Sequence, residues 1–240
     1  MADALSIAAT SMGFDMVKLA SLSNNLANAT TPAFRREIVY GRPFAQLLES
    51  GARANALALG VPEPQLAFDP LQGTLRATGA PLDVALQGEG WFEVGTPEGP
   101  AYTRQGDFQL DARGRLVAHG GLPVQGLGGE LTFGGGALRI DDQGRVFEDG
   151  RPAGQLRVVR FQRQSGLEPL GGGLYRASAE AGSTVATPQV RQGFLESSNV
   201  TTANEMVRLI ETMRHFEANQ KLIQSYDDSL GRVIRTLGEF

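Results

Sequence analysis

The stretch EMVRLIETMRHFEANQKLIQSYDD, residues 205–228, decides the fold class because its apolar residues recur every seven positions. A sustained heptad stripe is a narrow apolar seam, and such a seam requires a second helix beside it. The stretch therefore predicts a long C-terminal helix that packs against another helix. The stripe consists of Leu209, Phe216, Ile223, Leu230 and Leu237.

A second row beside this stripe mixes apolar and polar residues, and polar seam positions cost stability but fix register. The helix is predicted to begin at Thr202, because Thr202-Ala203-Asn204-Glu205 matches the capping box S/T-x-x-E, and to continue to about Leu237. The predicted second row consists of Met206, Met213, Gln220, Asp227 and Ile234.

The N-terminus carries a matching heptad stripe. The predicted helix runs from about Asp3 to Asn28, because Pro32 disfavours helix in the residue before it. An amide-rich run, SNNLANATTPAFRR at 23–36, follows its last turns. The stripe consists of Leu5, Met12, Leu19 and Leu26, and the row predicted beside it of Ala8, Ala9, Met16 and Leu22.

The middle of the chain has the signals of short strands. Of the 31 glycines, 25 lie between Gly73 and Gly193, where apolar runs alternate with glycine turns. DARGRL at 111 and DDQGRV at 141 each fit a type I turn followed by a left-handed glycine. We therefore predict an α+β protein. Its parts are an N-terminal helix (1–31), an extended connector (32–72), an all-β domain (73–198) and a C-terminal helix (199–240).

Composition restricts the function classes. A net charge of -4 argues against nucleic-acid binding, and the absence of Cys rules out disulfides, thiolate metal sites and Cys nucleophiles. No apolar run of about 18 residues exists, so direct membrane insertion is not expected. The N-terminus lacks a basic region followed by a continuous apolar core, so no cleaved signal peptide is expected.

Catalytic motifs are not found in this sequence. His119 and His215 have no partner at metal-ligand spacing, and the glycine clusters complete neither a phosphate loop nor a dinucleotide fingerprint. We predict no catalytic, cofactor-binding or metal-binding residues. Because paired carboxylates can come from any part of a β fold, a glycosidase-like site stays open as an alternative.

Several motifs, in order along the chain, resemble those of the bacterial flagellar rod and hook proteins. The first is Asn24-Asn25-Leu26-Ala27-Asn28 followed by Thr31-Pro32-x-Phe34-Arg35. The others are TGAPLDVALQGEGWF at 78–92, YTRQGDF at 102–108, GFLESSNV at 193–200 and the opening stretch at 205–228. Such a series is far more specific than any one of its members.

The resemblance implies a subunit of a helical tube, whose terminal helices from many copies form a discontinuous coiled-coil core with the β domain outside. It implies partners among the proximal and distal rod proteins and copies of the chain itself. It also implies location in the periplasmic rod of the basal body and passage through the flagellar type III export apparatus.

The resemblance also points to residues at the assembly interface. Asn24, Asn25 and Asn28 are expected to satisfy backbone groups of their own chain and of a neighbour, unless they simply end the helix in solvent. Phe34 is expected to anchor the chain, and Arg35 to meet a carboxylate on an adjacent subunit. Asn199 and the residues of both helical seams complete the predicted interface.

The position within the rod is predicted from a few details. Gly90-Trp91-Phe92 and Arg214-x-Phe216-Glu217 resemble the proximal-rod member adjacent to the distal rod protein, whereas residues 217–221 resemble the distal rod or hook proteins. Ala33 stands where the family usually has Gly, which makes a positive φ there costlier. The alternatives are a distal rod or hook-type protein and, from another class, a stand-alone β-domain binding protein or glycosidase with a helical dimerisation stalk.

Overall fold

The chain has a helix near each end and a region of strands between them in sequence, which confirms the α+β class. The computed structural model describes the backbone of residues 2–41, 64–163 and 166–238, and the side chains of 8–41, 64–163, 166–229 and 231–232. The chain forms two compact units. One contains Met1–Ala27, Glu37–Phe68 and Thr201–Phe240, and the other contains Asn28–Arg36 and Asp69–Val200.

The first unit is built from the two helices and one pair of strands. α1 spans Ala2–Ala27 and α2 spans Thr202–Gly238, close to the predicted limits. At 1.5 Å per residue, the 37 residues of α2 extend about 55 Å. α1 contacts α2 and the first strand.

Part of the predicted connector is paired β structure. β1 (Glu37–Tyr40) and β2 (Gln65–Phe68) form an antiparallel ladder in the first unit. The stretch between them, residues 42–63, lies outside the described residues. Residues 69–72, at the end of the predicted connector, belong to the second unit.

The second unit consists of short strands, and the ladders among its described residues are antiparallel. The strands are β3 (Leu75–Ala77), β4 (Val84–Leu86), β5 (Trp91–Thr96), β6 (Gly99–Thr103), β7 (Gln109–Leu110), β8 (Leu116–Val117), β9 (Gln125–Gly126), β10 (Gly129–Glu130), β11 (Leu138–Ile140), β12 (Arg145–Glu148), β13 (Arg151–Gln155), β14 (Val158–Phe161), β15 (Leu167–Gly171), β16 (Leu174–Ala177), β17 (Ser183–Val185), β18 (Val190–Gln192) and β19 (Phe194–Glu196). A six-stranded sheet has the order β15-β16-β6-β5-β14-β17, and a three-stranded sheet has the order β11-β12-β13. β9 pairs with β10, β7 with β8, β18 with β4, and β19 with β3.

The core of this unit centres on β5. Trp91 and Phe92 are both buried, and adjacent residues of a strand point to opposite faces, so the sheet is covered on both faces here. Phe92 packs edge-on against Phe108, with ring centroids 5.1 Å apart, and Trp91 packs in the same manner against Tyr175 at 4.8 Å. Such edge-to-face pairs add to the stabilisation from burial alone.

The two predicted Asp-x-x-Gly turns are confirmed. Gly114 and Gly144 have φ values of 75° and 72°, in the left-handed region. In each turn the Asp carboxylate accepts hydrogen bonds from the backbone N–H groups two and four residues later, at 2.8–3.0 Å. In the first turn these bonds, above all that from the Arg115 N–H, lower the pKa of Asp111.

Ala33 adopts the conformation for which the family uses Gly. Its φ is 55°, and its backbone N–H donates to the carbonyl oxygen of Glu196 at 2.8 Å. The left-handed conformation therefore persists without Gly, at a cost of about 1–2 kcal/mol for an L-residue.

Candidate assembly surface

Asn25 connects three elements of the first unit from a fully buried position. Its Nδ2 donates to the carbonyl oxygen of Glu37 at 2.9 Å, and its Oδ1 accepts from the N–H of Glu37 at 2.7 Å. Nδ2 also donates to Oε2 of Glu205 at 3.2 Å. A single amide thus joins the end of α1 to β1 and to the first turn of α2.

The neighbouring amides also have partners in this chain. Asn24 Nδ2 donates to Oε1 of Glu37 at 2.8 Å. Asn28 accepts two hydrogen bonds from Thr31, from the hydroxyl to its Oδ1 at 3.2 Å and from the N–H to its carbonyl oxygen at 3.1 Å. Burial raises the pKa of Glu37, and the bond from Asn24 opposes this shift. Contacts of these amides with a neighbouring subunit stay a prediction.

Asn25→Ala is expected to lower the free energy of unfolding by about 2 kcal/mol, because the backbone N–H and C=O of Glu37 lose their hydrogen bonds to this buried amide. Asn24→Ala is the matched control and should cost less than about 0.5 kcal/mol, because Asn24 is exposed. Urea unfolding followed by circular dichroism at 222 nm measures both. Equal losses for the two variants would contradict the assigned role of Asn25.

A buried ion cluster fixes the segment that follows α1 in the sequence. Arg35 Nη2 lies 2.9 Å from Oε1 of Glu196, and Arg104 Nη1 lies 3.4 Å from Oε2, with each of the three side chains at most 5% exposed. Arg35 also donates to the carbonyl oxygen of Leu71. Burial lowers the pKa of Arg104 to about 10, although the charge of Glu196 acts in the opposite direction.

The carboxylate of Glu196 has further donors within the second unit. Gln72 Nε2 donates to Oε2 and the Gly73 N–H donates to Oε1, both at 3.2 Å. The guanidinium of Arg35 is thus bound by Glu196 of its own chain. Its predicted contact with a carboxylate of an adjacent subunit stays a prediction.

Asn199 is used in a similar way. Its Oδ1 accepts from the N–H of Arg36 at 2.7 Å, and its Nδ2 donates to the carbonyl oxygens of Leu71 and Asp69 at 2.9 and 3.3 Å. The backbone N–H of Asn199 bonds to the carbonyl oxygen of Phe34, whose side chain is half-buried. The hydrogen bonds of Asn199 thus tie together segments of its own chain, and its predicted contact with a neighbour remains untested.

α1 and α2 run antiparallel, as their side-chain contacts show. Asp15 is buried, and its Oδ2 lies 2.7 Å from Nδ1 of His215. Asn219 Nδ2 donates to Oγ of Ser11 at 3.2 Å and to Oδ2 of Asp15 at 3.4 Å. Nearer the start of α2, Asn25 contacts Glu205, so residue numbers rise along one helix as they fall along the other.

The covered face of α2 differs from the predicted one in its second row. The heptad stripe is half-buried at Leu209, Phe216 and Ile223, as expected. The covered row beside this stripe includes Glu205 and Thr212, which are buried, and Asn219 and Tyr226, which are half-buried. The predicted second row is exposed at Met206, Met213, Gln220 and Asp227.

The corresponding row of α1 was predicted in part. Met12, Leu19 and Leu26 are half-buried, and Ala8 and Leu22 of the predicted row are buried, whereas Met16 is 61% exposed and Ala9 is exposed. The buried row is Ala8, Asp15 and Leu22. The side chains of Leu5, Leu230, Ile234 and Leu237 lie outside the described ones.

Hydrogen bonding explains why apolarity alone does not identify the covered rows. A polar side chain is buried readily when it has a partner. Asp15 has His215 and Asn219, and Glu205 has Asn25. The heptad spacing of the polar residues was itself a signal, since Asp15 lies seven residues from both Ala8 and Leu22.

Because the covered row of α2 is not the predicted one, an apolar strip stays exposed in the first three turns of this helix. We name this strip the α2 apolar face. Its side chains are 48–55% exposed. Scattered apolar residues on a surface are ordinary, but a contiguous set on one helix marks an interaction site. The α2 apolar face consists of Met206, Val207, Ile210 and Met213.

The acidic and histidine side chains in the described part of the chain form no cluster of three or more that could bind a metal ion. Neither helix is long and apolar enough, over its described residues, to cross a membrane.

The chain combines a β unit with two terminal helices that pack against each other, and one helix has an exposed apolar strip. Such a strip is typical of a subunit of a larger assembly. Residues 191–236 match the family model described as flagellar basal body rod FlgEFG protein C-terminal. Residues 85–149 match the model of the flagellar hook protein FlgE/F/G D1 domain.

Three relatives match the chain over nearly its whole length. A Bacillus subtilis (strain 168) flagellar basal-body rod protein FlgG is 30% identical, covering 90% of this chain and 92% of its own length. A FlgG of Buchnera aphidicola subsp. Acyrthosiphon pisum is 32% identical, covering 97% and 99%. A flagellar basal-body rod protein FlgF of Rhizobium meliloti (strain 1021) is 33% identical, covering 92% of both chains. The chain belongs to the flagellar basal-body rod protein family.

Proposed function

We propose that this protein is a structural subunit of the flagellar basal-body rod, which polymerises helically with other rod proteins and transmits torque from motor to hook. The α2 apolar face is the observation that carries the proposal. It is exposed on a single chain, and burying it against a neighbour removes apolar surface from water. Family membership leaves the rival function, a β-domain binder or glycosidase with a helical stalk, without support.

The geometry of the helices suits an open assembly. α2 uses one row for α1 of its own chain and presents a second row to another subunit. A contact between two different surfaces of identical or related chains, repeated with a rotation that closes no ring, gives a helical filament. Neighbouring helix pairs then form the coiled-coil core of the rod, with the β units attached to it.

Location and partners follow from the same proposal. The subunit lies in the periplasmic rod of the basal body, beside proximal and distal rod proteins and copies of itself. It reaches this place through the flagellar type III export apparatus. Its work is mechanical, and it makes no use of a cofactor.

Ile210→Glu tests the proposal at the centre of the α2 apolar face. Ile210 is 52% exposed, so the variant is expected to fold, but it places an unpaired charge in the subunit contact. Ala218→Glu is the matched control, because it adds the same residue at an exposed position of α2 outside this face. Complementation of a strain that lacks the gene, scored by flagella per cell, gives the result.

We expect Ile210→Glu to reduce flagellation at least about tenfold, the ratio that 1.4 kcal/mol of lost contact energy produces, and Ala218→Glu to act like the unchanged protein. Normal flagellation by a stably produced Ile210→Glu protein would refute the assembly role of this face. Circular dichroism of both purified variants confirms that neither has lost its helices.

The position in the rod is a separate proposal. Relatives named FlgG and FlgF match the chain to similar extents. We favour the proximal member adjacent to the distal rod protein, on the resemblance at residues 90–92 and 214–217, over a distal rod or hook-type subunit. Electron microscopy of the concentrated unchanged protein separates the two, because only a distal or hook-type subunit should form long filaments alone.

A further inference from the structure

Three of the polar contacts between the described residues of α1 and α2 share one register, and we name them the polar rungs. They are Asn25 with Glu205, Asp15 with His215, and Ser11 with Asn219, at 3.2, 2.7 and 3.2 Å. In each rung the two residue numbers add to the same total, so all three specify a single antiparallel register. We propose that the rungs determine this register and keep the two helices of one chain paired with each other.

A purely apolar seam would not specify the register. The covered stripes of both helices repeat every seven residues, so sliding one helix by a heptad brings apolar positions together again. A slip by seven residues toward the C-terminus of α2 places Asp15 opposite Leu222 and Asn25 opposite Thr212. The buried carboxylate of Asp15 then loses His215, and burial of an unpaired charge is costly.

Such a penalty acts on the buried members of two rungs. Asn25 and Glu205 are 0% and 2% exposed and Asp15 is 5% exposed, whereas the side chain of His215 is 59% exposed. Asp15 and Asn25 are ten residues apart on α1, about 15 Å along the helix, so the rungs fix the pairing at two distant points. A single polar residue in an apolar seam is known to select register in helix pairs, at a cost in stability.

This inference rests on the proposed function for its biological purpose. Within a rod every subunit is surrounded by neighbours with closely similar helices, and these could replace its own. Rungs that are satisfied only in one register penalise exchange between chains, because specificity requires a cost for the wrong pairing as well as a gain for the right one.

The absence of Cys in the chain permits a direct test in the purified, unassembled protein. Ser11→Cys with Asn219→Cys reports the observed register, because these side chains are in contact. Ser11→Cys with Tyr226→Cys reports a slip of one heptad. Both pairs are placed in the unchanged background and in one carrying Asp15→Leu with His215→Leu, and disulfide formation is quantified on non-reducing gels.

In the unchanged background we expect the first pair to cross-link at least about tenfold more than the second. The Leu double variant should reduce this ratio at least about fivefold and produce cross-linked dimers. A control with Met16→Leu and Arg214→Leu, which places the same residue at the exposed neighbouring positions, should leave the ratio unchanged. An unchanged ratio in the Leu double variant overturns the proposal.

The reciprocal exchange Asp15→His with His215→Asp decides the matter if the Leu double variant loses its helices. The exchange keeps the pair and should restore the in-register preference, whereas failure to restore it in a helical protein counts against the rungs. Because the assay uses single chains, it can fail while the rod function stands. Conversely, an in-register preference together with normal flagellation by Ile210→Glu would refute the assembly role of the α2 apolar face and leave the proposal on the rungs standing.

Discussion

Glu196→Gln is expected to lower the free energy of unfolding of the second unit by about 3–5 kcal/mol, because it leaves two buried guanidinium groups without a counter-charge. Arg35 and Arg104 both bind this carboxylate, and the Nε atom of Arg104 is buried without a hydrogen-bond partner in the described structure. The substituted amide keeps the shape of the side chain but not its charge. The loss therefore reports electrostatics rather than a cavity.

Denaturant unfolding followed by the fluorescence of Trp91, the single tryptophan of the chain, measures this effect in the second unit. Glu89→Gln is the matched control. Glu89 pairs with Arg160, but both side chains are 58–60% exposed, so the control should change stability by less than about 1 kcal/mol. A loss for Glu196→Gln no larger than for Glu89→Gln would show that the buried cluster contributes nothing beyond a surface pair.

Gly106→Ala is expected to cost about 3 kcal/mol or more, because two backbones meet too closely for any side chain. A Cβ at this position would lie 1.6 Å from the carbonyl oxygen of Val84, which is backbone and cannot rotate away. The N–H of Val84 bonds to the carbonyl oxygen of Gly106 at 2.9 Å. An added methyl group must therefore separate β4 from this segment and break that bond.

Gly128→Ala provides the control for this prediction. No atom lies within 4 Å of the methyl group it would add, and its backbone is not left-handed, so we expect a change within about 0.5 kcal/mol. Trp91 fluorescence during thermal unfolding compares the two variants in the same unit. Similar midpoints for both would mean that the approach of Val84 to Gly106 is looser than the structure indicates.

Much of the architecture follows from local sequence patterns. The heptad stripes predicted both helices to within a few residues, because a period near 3.5 is a property of the helical backbone itself. The Asp-x-x-Gly turns at Asp111 and Asp141 were predicted for a similar reason. Their hydrogen bonds join residues at most four positions apart, and only the left-handed glycine is needed to complete them.

The candidate site was predicted only in part. The stripe through Leu209, Phe216 and Ile223 was assigned to the covered face, and this is what the structure has. The row beside it was assigned by apolarity, which favoured Met206 and Met213 over Glu205 and Thr212. That assignment was wrong for the contact between α1 and α2. In the structure the polar row is covered, so the apolar residues of the predicted row remain exposed.

The sequence by itself therefore determined the α+β class, the two helices, the turns and the membership of the rod protein family. Only the tertiary structure decided which polar groups are partners: Arg35 with Glu196, Asp15 with His215, and Asn25 with Glu37 and Glu205. Periodicity and turn chemistry act over a few neighbouring residues, so they are legible in sequence. The burial of a charged or amide side chain depends on a partner that is 12 to 200 residues away, and folding alone brings the two together.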